Sequence, residues 1–113
     1  MLLIYVDEPA LAEARKDVAG AQIMPAYIAC TGAMKQAGVL VGGDRLAPTS
    51  TATTVRATGG KTKILNGPYA ETKERLGGCS MIDVPDLDAA IAWASRCPGA
   101  SPGVIEVRPL FTG

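Results

Sequence analysis

The sequence predicts an α+β domain in which a strand, a helix, two strands, a helix and a strand follow in order, with a β-hairpin inserted before the third strand. Three observations carry this. Met1 to Val6 is a continuous apolar run; two segments repeat apolar residues at helical spacing; and β-branched or apolar runs bounded by glycine and proline recur at Val39, Thr53, Lys63, Gly78 and Val104. Without the hairpin, that order is the ferredoxin-like βαββαβ pattern. A chain of 113 residues fits one domain over 1–113, long enough to bury roughly two-thirds of the surface its unfolded form exposes.

Met1-Leu2-Leu3-Ile4-Tyr5-Val6 does not alternate, as expected of a strand covered on both faces. Two helices cover one face of so small a sheet, so a second copy of the chain is expected on the other. Asp7 or Glu8 can cap a helix with Pro9 near its first position and Leu11, Ala14 and Val18 on one face. Gly20 and Pro25 interrupt it, giving two helices or one kinked at Pro25. Ile23, Tyr27, Cys30, Met34 and Ala37 form the stripe of the next segment, and Gly38 suits the left-handed position that ends a helix.

Val39 to Leu46 is the second strand, its Gly42-Gly43 pair marking a bulge or a close backbone approach. Thr53 to Arg56 and Lys63 to Leu65 flank Gly59-Gly60 as a hairpin with little apolar content, expected at a sheet edge or extending from the body. A strand from Gly78 to Val84 leads to Asp86, a helix cap, and to Leu87, Ala90, Ile91 and Ala94 on one face. Cys97-Pro98-Gly99 ends that helix. In the closing strand, Val104 to Arg108, Glu106 and Arg108 share one side and Ile105 and Val107 the other.

Composition narrows the function. There are 11 basic and 11 acidic residues and no long basic run, so no direct contact with nucleic acid is expected. The 3 cysteines, Cys30, Cys79 and Cys97, lack metal-ligand or framework spacing and read as small buried hydrophobes of a cytoplasmic protein. Histidine is absent, which removes histidine general bases, Ser-His-Asp triads and histidine-held metals. Neither metal nor cofactor is expected. The apolar start is too short for a leader or a membrane span, and no membrane partner is expected.

The stretch from Asn66 to Val84, Asn-Gly-Pro-Tyr-Ala-Glu-Thr-Lys-Glu-Arg-Leu-Gly-Gly-Cys-Ser-Met-Ile-Asp-Val, resembles the signature of the YCII-related domain in its DGPF branch. Members of that branch carry Asp-Gly-Pro-Phe-Ala-Glu-Thr-Lys-Glu, then a Gly-Gly pair and a strand ending Asp-Val-Pro. This chain departs with Asn66 for Asp and Tyr69 for Phe. The resemblance covers nearly the whole chain, is strongest from Thr51 to Pro109, and is weak in the first helix. It implies two sheets paired as a dimeric α/β barrel, hence a homodimer.

The same resemblance, with the residue chemistry, nominates Tyr27, Asn66, Tyr69, Glu71 and Lys73 as ligand-binding residues around a pocket between the sheet and the first helix. Asn66 donates and accepts hydrogen bonds but does not titrate where the branch has a carboxylate. Some YCII-related proteins carry out dehydrochlorination or similar ring chemistry with a His-Asp pair, which a chain without histidine does not supply. The expectation is therefore a small-molecule-binding or regulatory module, tied to signalling or stress response because genes of the branch often lie near those for extracytoplasmic-function sigma factors. The alternative is an enzyme acting on a small organic substrate, ring-hydroxylated ones included, without a histidine base.

Overall fold

The computed structural model describes residues 1–9, 23–70, 72–97 and 103–111. The helix expected over Leu11, Ala14 and Val18 lies outside the described residues, apart from Glu8 and Pro9, which are helical. Then come β1 (Leu2–Val6), α1 (Ile23–Gln36), β2 (Leu40–Arg45), a 3-10 turn (Thr49–Thr51), β3 (Thr53–Thr58), β4 (Lys61–Asn66), β5 (Arg75–Ile82), α2 (Leu87–Arg96) and β6 (Val104–Val107).

Four strands form a sheet in the order β2-β5-β1-β6, each neighbouring pair antiparallel. Strand β5 thus lies between β1 and β2, the split arrangement compatible with a ferredoxin-like fold. Strands β3 and β4 pair with each other as a separate two-stranded antiparallel sheet. Gly59 and Gly60 turn that ribbon at φ +58° and +78°, the positive pair a two-residue turn between right-twisted strands requires.

The described helices pack on one face of the four-stranded sheet, where Leu2, Met34 and Ala94 form the buried centre and Val39, Leu40, Ile82, Trp93, Ile105 and Val107 pack around it. Strand alternation sends Leu3, Tyr5, Cys79, Met81 and Glu106 to the other face, and each is half-buried. Glu106 pairs there with Arg108. Of the cysteines, Cys97 is buried and Cys30 and Cys79 are half-buried, all as free thiols.

Helix α1 carries Pro25 in its first turn, where a missing N–H breaks no helical bond. It closes at Gly38 (φ +73°) with Val39 N–H donating to the Met34 carbonyl and Gly38 N–H to that of Lys35, each at 3.1 Å. Met34 is buried and Tyr27 and Cys30 half-buried, whereas Ala37 falls beyond the helix and is exposed. On α2 the expected stripe is rotated: Ala90 and Ala94 are buried but Leu87 and Ile91 are exposed. Trp93 takes the inner position beside them, with the Arg96 guanidinium 4.4 Å from its ring centroid.

Two of the three glycine pairs, Gly42-Gly43 and Gly77-Gly78, are in strands. Val41 is the extra residue of a bulge, since Leu40 pairs with Ile82 and Gly42 with Met81. Gly77 is its counterpart in β5, between Leu76 opposite Tyr5 and Gly78 opposite Ile4. The Gly77-Gly78 pair is therefore an in-strand bulge; β5 begins at Arg75, before the expected Gly78, and ends at Ile82, short of the expected Val84. A Cβ on Gly78 would stand 2.9 Å from the Asp44 carbonyl oxygen, so the close approach of β2 and β5 requires glycine there.

Candidate functional site

The β1–β5 register sets Val6 opposite Arg75, which brings Glu8, two residues beyond β1, to the start of the signature strand. The third member comes from the 3-10 turn. Pro48 precedes it, and the Thr51 N–H and hydroxyl donate to the Pro48 carbonyl at 2.9 and 2.7 Å. That leaves the Thr49 N–H at the head of the turn without a backbone partner. It donates instead to Glu8 Oε1 at 2.9 Å, and the Thr49 hydroxyl donates to Oε2 at 2.7 Å. Arg75 Nη1 donates to the same Thr49 oxygen at 2.6 Å, and Nε to the Thr72 carbonyl at 3.2 Å.

Thr49 is a buried polar residue, 8% exposed, and its hydrogen-bonding capacity is met by this triad. Its hydroxyl and N–H hold the Glu8 carboxyl below its usual 4.5, with burial opposing them and the Arg75 charge adding to them. Glu8 is therefore ionised at neutral pH, with both oxygens engaged. It is a structural anchor for the wall and a poor proton donor.

Beside the triad opens a cleft of about 570 Å³, lined by Asp7, Glu8, Pro9, Thr72, Lys73 and Arg75. Lys73 is exposed within it. With Glu8 and Arg75 hydrogen-bonded to Thr49, Lys73 is the more exposed of the two lining cations, an ammonium with three donors.

Of the nominated residues, Lys73 lines this cleft, and Glu71 lies outside the described residues. Asn66 is exposed at the end of β4, opposite Thr53. The turn after it is pinned to the root of the ribbon, where Gly67 N–H donates to the Ala52 carbonyl and the Thr54 hydroxyl to the Gly67 carbonyl, each at 2.8 Å. Tyr69 is 77% exposed, with the Arg56 guanidinium 5.6 Å from its ring centroid. Tyr27 is half-buried on α1; burial pushes its phenol up to about 12, the Cys97 and Cys30 thiols adding to the effect and Arg45 opposing it. Among the described residues, Tyr27, Asn66 and Tyr69 do not line the cleft.

Sequence reading placed Glu8 at a helix start and singled out neither Arg75 nor Thr49. No local spacing joins these three. Their meeting is a product of strand register and of the turn that Pro48 begins.

The split strand order and the packing of the described helices on one face define the class as a small α+β domain compatible with the ferredoxin-like type. The family described as YCII-related domain matches residues 1–112, and the chain belongs to it. The chain is also similar to an uncharacterised protein of Rhizobium meliloti (strain 1021), 46% identical over 77 residues that make up 66% of this chain. The match spans 62% of that relative's length. No helix among the described residues is long and apolar enough to cross a membrane.

Proposed function

We propose that this protein is a homodimeric small-molecule-binding module that takes a small polar metabolite bearing an acidic group in the cleft at the β1–β5 end. The observation that carries the reading is the cleft itself: a rigid wall of Glu8, Thr49 and Arg75 beside an exposed Lys73. A wall whose polar groups already satisfy one another presents a fixed shape, and a lysine at its mouth supplies the charge that orients an anion.

Proton affinities favour binding over acid–base turnover. Glu8 is shifted down and Tyr27 up, both away from neutrality, whereas a general acid or base works best near the ambient pH. A regulatory role in signalling or stress response fits a protein that binds without transforming its ligand. The homodimer is supported by the packing of the described helices on one face, with Leu3, Tyr5, Cys79 and Met81 on the opposite face of the sheet.

The test is a thermal-shift screen of carboxylated and phosphorylated metabolites on the full chain, followed by calorimetry of any ligand found. Saturation at about 100 times the dissociation constant adds roughly 2.7 kcal/mol to the native state. Lys73→Ala is expected to weaken that ligand about tenfold, the order of one charge-assisted hydrogen bond. A ligand whose affinity ignores both Lys73→Ala and Glu8→Gln rejects the cleft; a ligand consumed during the titration rejects the non-catalytic reading.

A further inference from the structure

We propose that Asn66 is a self-modification site, where spontaneous deamidation writes a carboxylate into the β3–β4 ribbon at a rate set by opening of the ribbon's root. The site stands apart from the cleft and from the homodimer. Asn66 is the sole asparagine of the chain, and Gly67 follows it. Glycine favours the reaction most, because without a side chain it leaves its own amide nitrogen open to approach and the backbone free to bend. Asn66 is exposed, and among the described residues its side-chain amide has no hydrogen-bond partner.

The step balances with the chain and water alone. The Gly67 backbone nitrogen attacks Asn66 Cγ and forms an N–Cγ bond; the Cγ–Nδ2 bond breaks, and ammonia leaves with the proton of the Gly67 amide. Water then opens the succinimide ring at either carbonyl. One opening gives aspartate at position 66, the other isoaspartate, with an extra methylene in the main chain. The product is the first negative charge between Asp44 and Glu71, a stretch whose charged side chains are Arg45, Arg56, Lys61 and Lys63.

The structure supplies a brake. Gly67 N–H donates to the Ala52 carbonyl and the Thr54 hydroxyl to the Gly67 carbonyl, each at 2.8 Å. Asn66 itself ends β4, opposite Thr53. An amide held by a carbonyl in good geometry cannot give up its proton and turn onto Cγ until that bond opens. The brake is also weak. β3 and β4 form a sheet of their own, every residue of β4 is exposed, and in β3 only Thr54 is half-buried. A two-stranded ribbon is marginal in water, and segments with few buried contacts open without the rest of the fold. Deamidation therefore sums the time the root spends open and keeps the total as a lasting charge.

Timed incubation of the full chain in mildly alkaline buffer, followed by intact mass and peptide mapping, tests this. The comparison is the same chain, at the same protein concentration, in guanidinium chloride above its unfolding midpoint. Conversion is expected in both and faster in denaturant. The ratio of the two rates is the open fraction of the root, expected to exceed the globally unfolded fraction, extrapolated from the denaturant series, at least about tenfold. Thr54→Val is expected to quicken conversion about fivefold in buffer, the loss of one neutral hydrogen bond, and to leave the denatured rate unchanged. Asn66→Gln is expected to abolish conversion, since glutamine must close a larger ring. No conversion in denaturant overturns the site. Equal rates in buffer and denaturant overturn the gate, as does a buffer rate no faster than global unfolding allows. A Thr54→Val chain that converts at the native rate in buffer denies the ribbon's root its part.

Discussion

Gly42 and Gly43 are neighbours in β2 with different physical roles. Gly43 has φ +156°, and a Cβ there would lie 2.5 Å from the Cys79 carbonyl oxygen and 2.9 Å from the Ser80 Cα. Both atoms are backbone of the adjoining strand, so relief means opening the β2–β5 pairing. Gly42 has nothing within 4 Å of the same position. Gly43→Ala is expected to cost about 2 kcal/mol or more and Gly42→Ala less than about 1 kcal/mol, read from urea midpoints at unchanged slope. Equal midpoints for the two variants would contradict the geometry. Thr49 makes a second case. Thr49→Val removes the hydroxyl that donates to Glu8 and accepts from Arg75, an expected loss of about 2 kcal/mol at neutral pH. The sign of the pH effect follows from Glu8: its folded carboxyl lies below 4.5, so the stability it contributes is present above that value and fades as pH falls through the lowered one. The native protein is therefore expected to lose more stability than Thr49→Val between neutrality and about pH 3, and parallel acid profiles would deny the Thr49–Glu8 bond its role.

Helix ends were the most legible elements. Gly38 and Asp86 act through local chemistry that a short stretch of sequence contains, and both ends fall where those residues put them. Asp86 accepts from the Ala89 N–H at 2.8 Å, so Asp86→Ala is expected to cost about 1 kcal/mol, whereas Asp88, in the first turn without a capping bond of its own, is worth a few tenths. Thermal unfolding of the two variants separates them. The start of β5 was misread because glycine pairs are punctuation in most sequences, and nothing local distinguishes a turn from a bulge forced by two flanking strands. The face of α2 was misread for a related reason: Leu87 and Ile91 fit the period, but the indole of Trp93 claims the inner position and turns the helix. Lys73 was legible as a site residue because the signature contains it. Glu8 and Thr49 were not, since a carboxylate meeting a threonine across the fold leaves no periodic trace.

The molecule is thin for its length. Its principal extents are 47 × 45 × 18 Å and its radius of gyration 16.0 Å, against about 13 Å for a compact domain of this size. Five apolar residues, Leu2, Met34, Ala90, Ala94 and Cys97, are buried among those described. A core this small is a modest source of stability, because hydrophobic stabilisation scales with the apolar area removed from water. The proposed homodimer, if it buries Leu3, Tyr5, Cys79 and Met81 against a second copy, would make unfolding depend on protein concentration. The melting temperature is accordingly expected to rise over a roughly hundredfold increase in protein concentration, and a constant value across that range would argue for a stable monomer.

Strand β1 sits at the middle of the sheet, with β5 on one flank and β6 on the other. Leu2 pairs with Ser80 and with Val107, so the earliest strand to be synthesised waits for nearly the last. Until β5 is made its apolar run has neither ladder partner, and until β6 is made helix α1 has no finished sheet to lie on. Pairings this distant along the chain place folding in the slow range of milliseconds to seconds typical of non-local topologies. For a nascent chain the hazardous interval runs from the synthesis of β1 to that of β5 and β6, and the segment in need of a chaperone's cover during that time is Leu2–Val6.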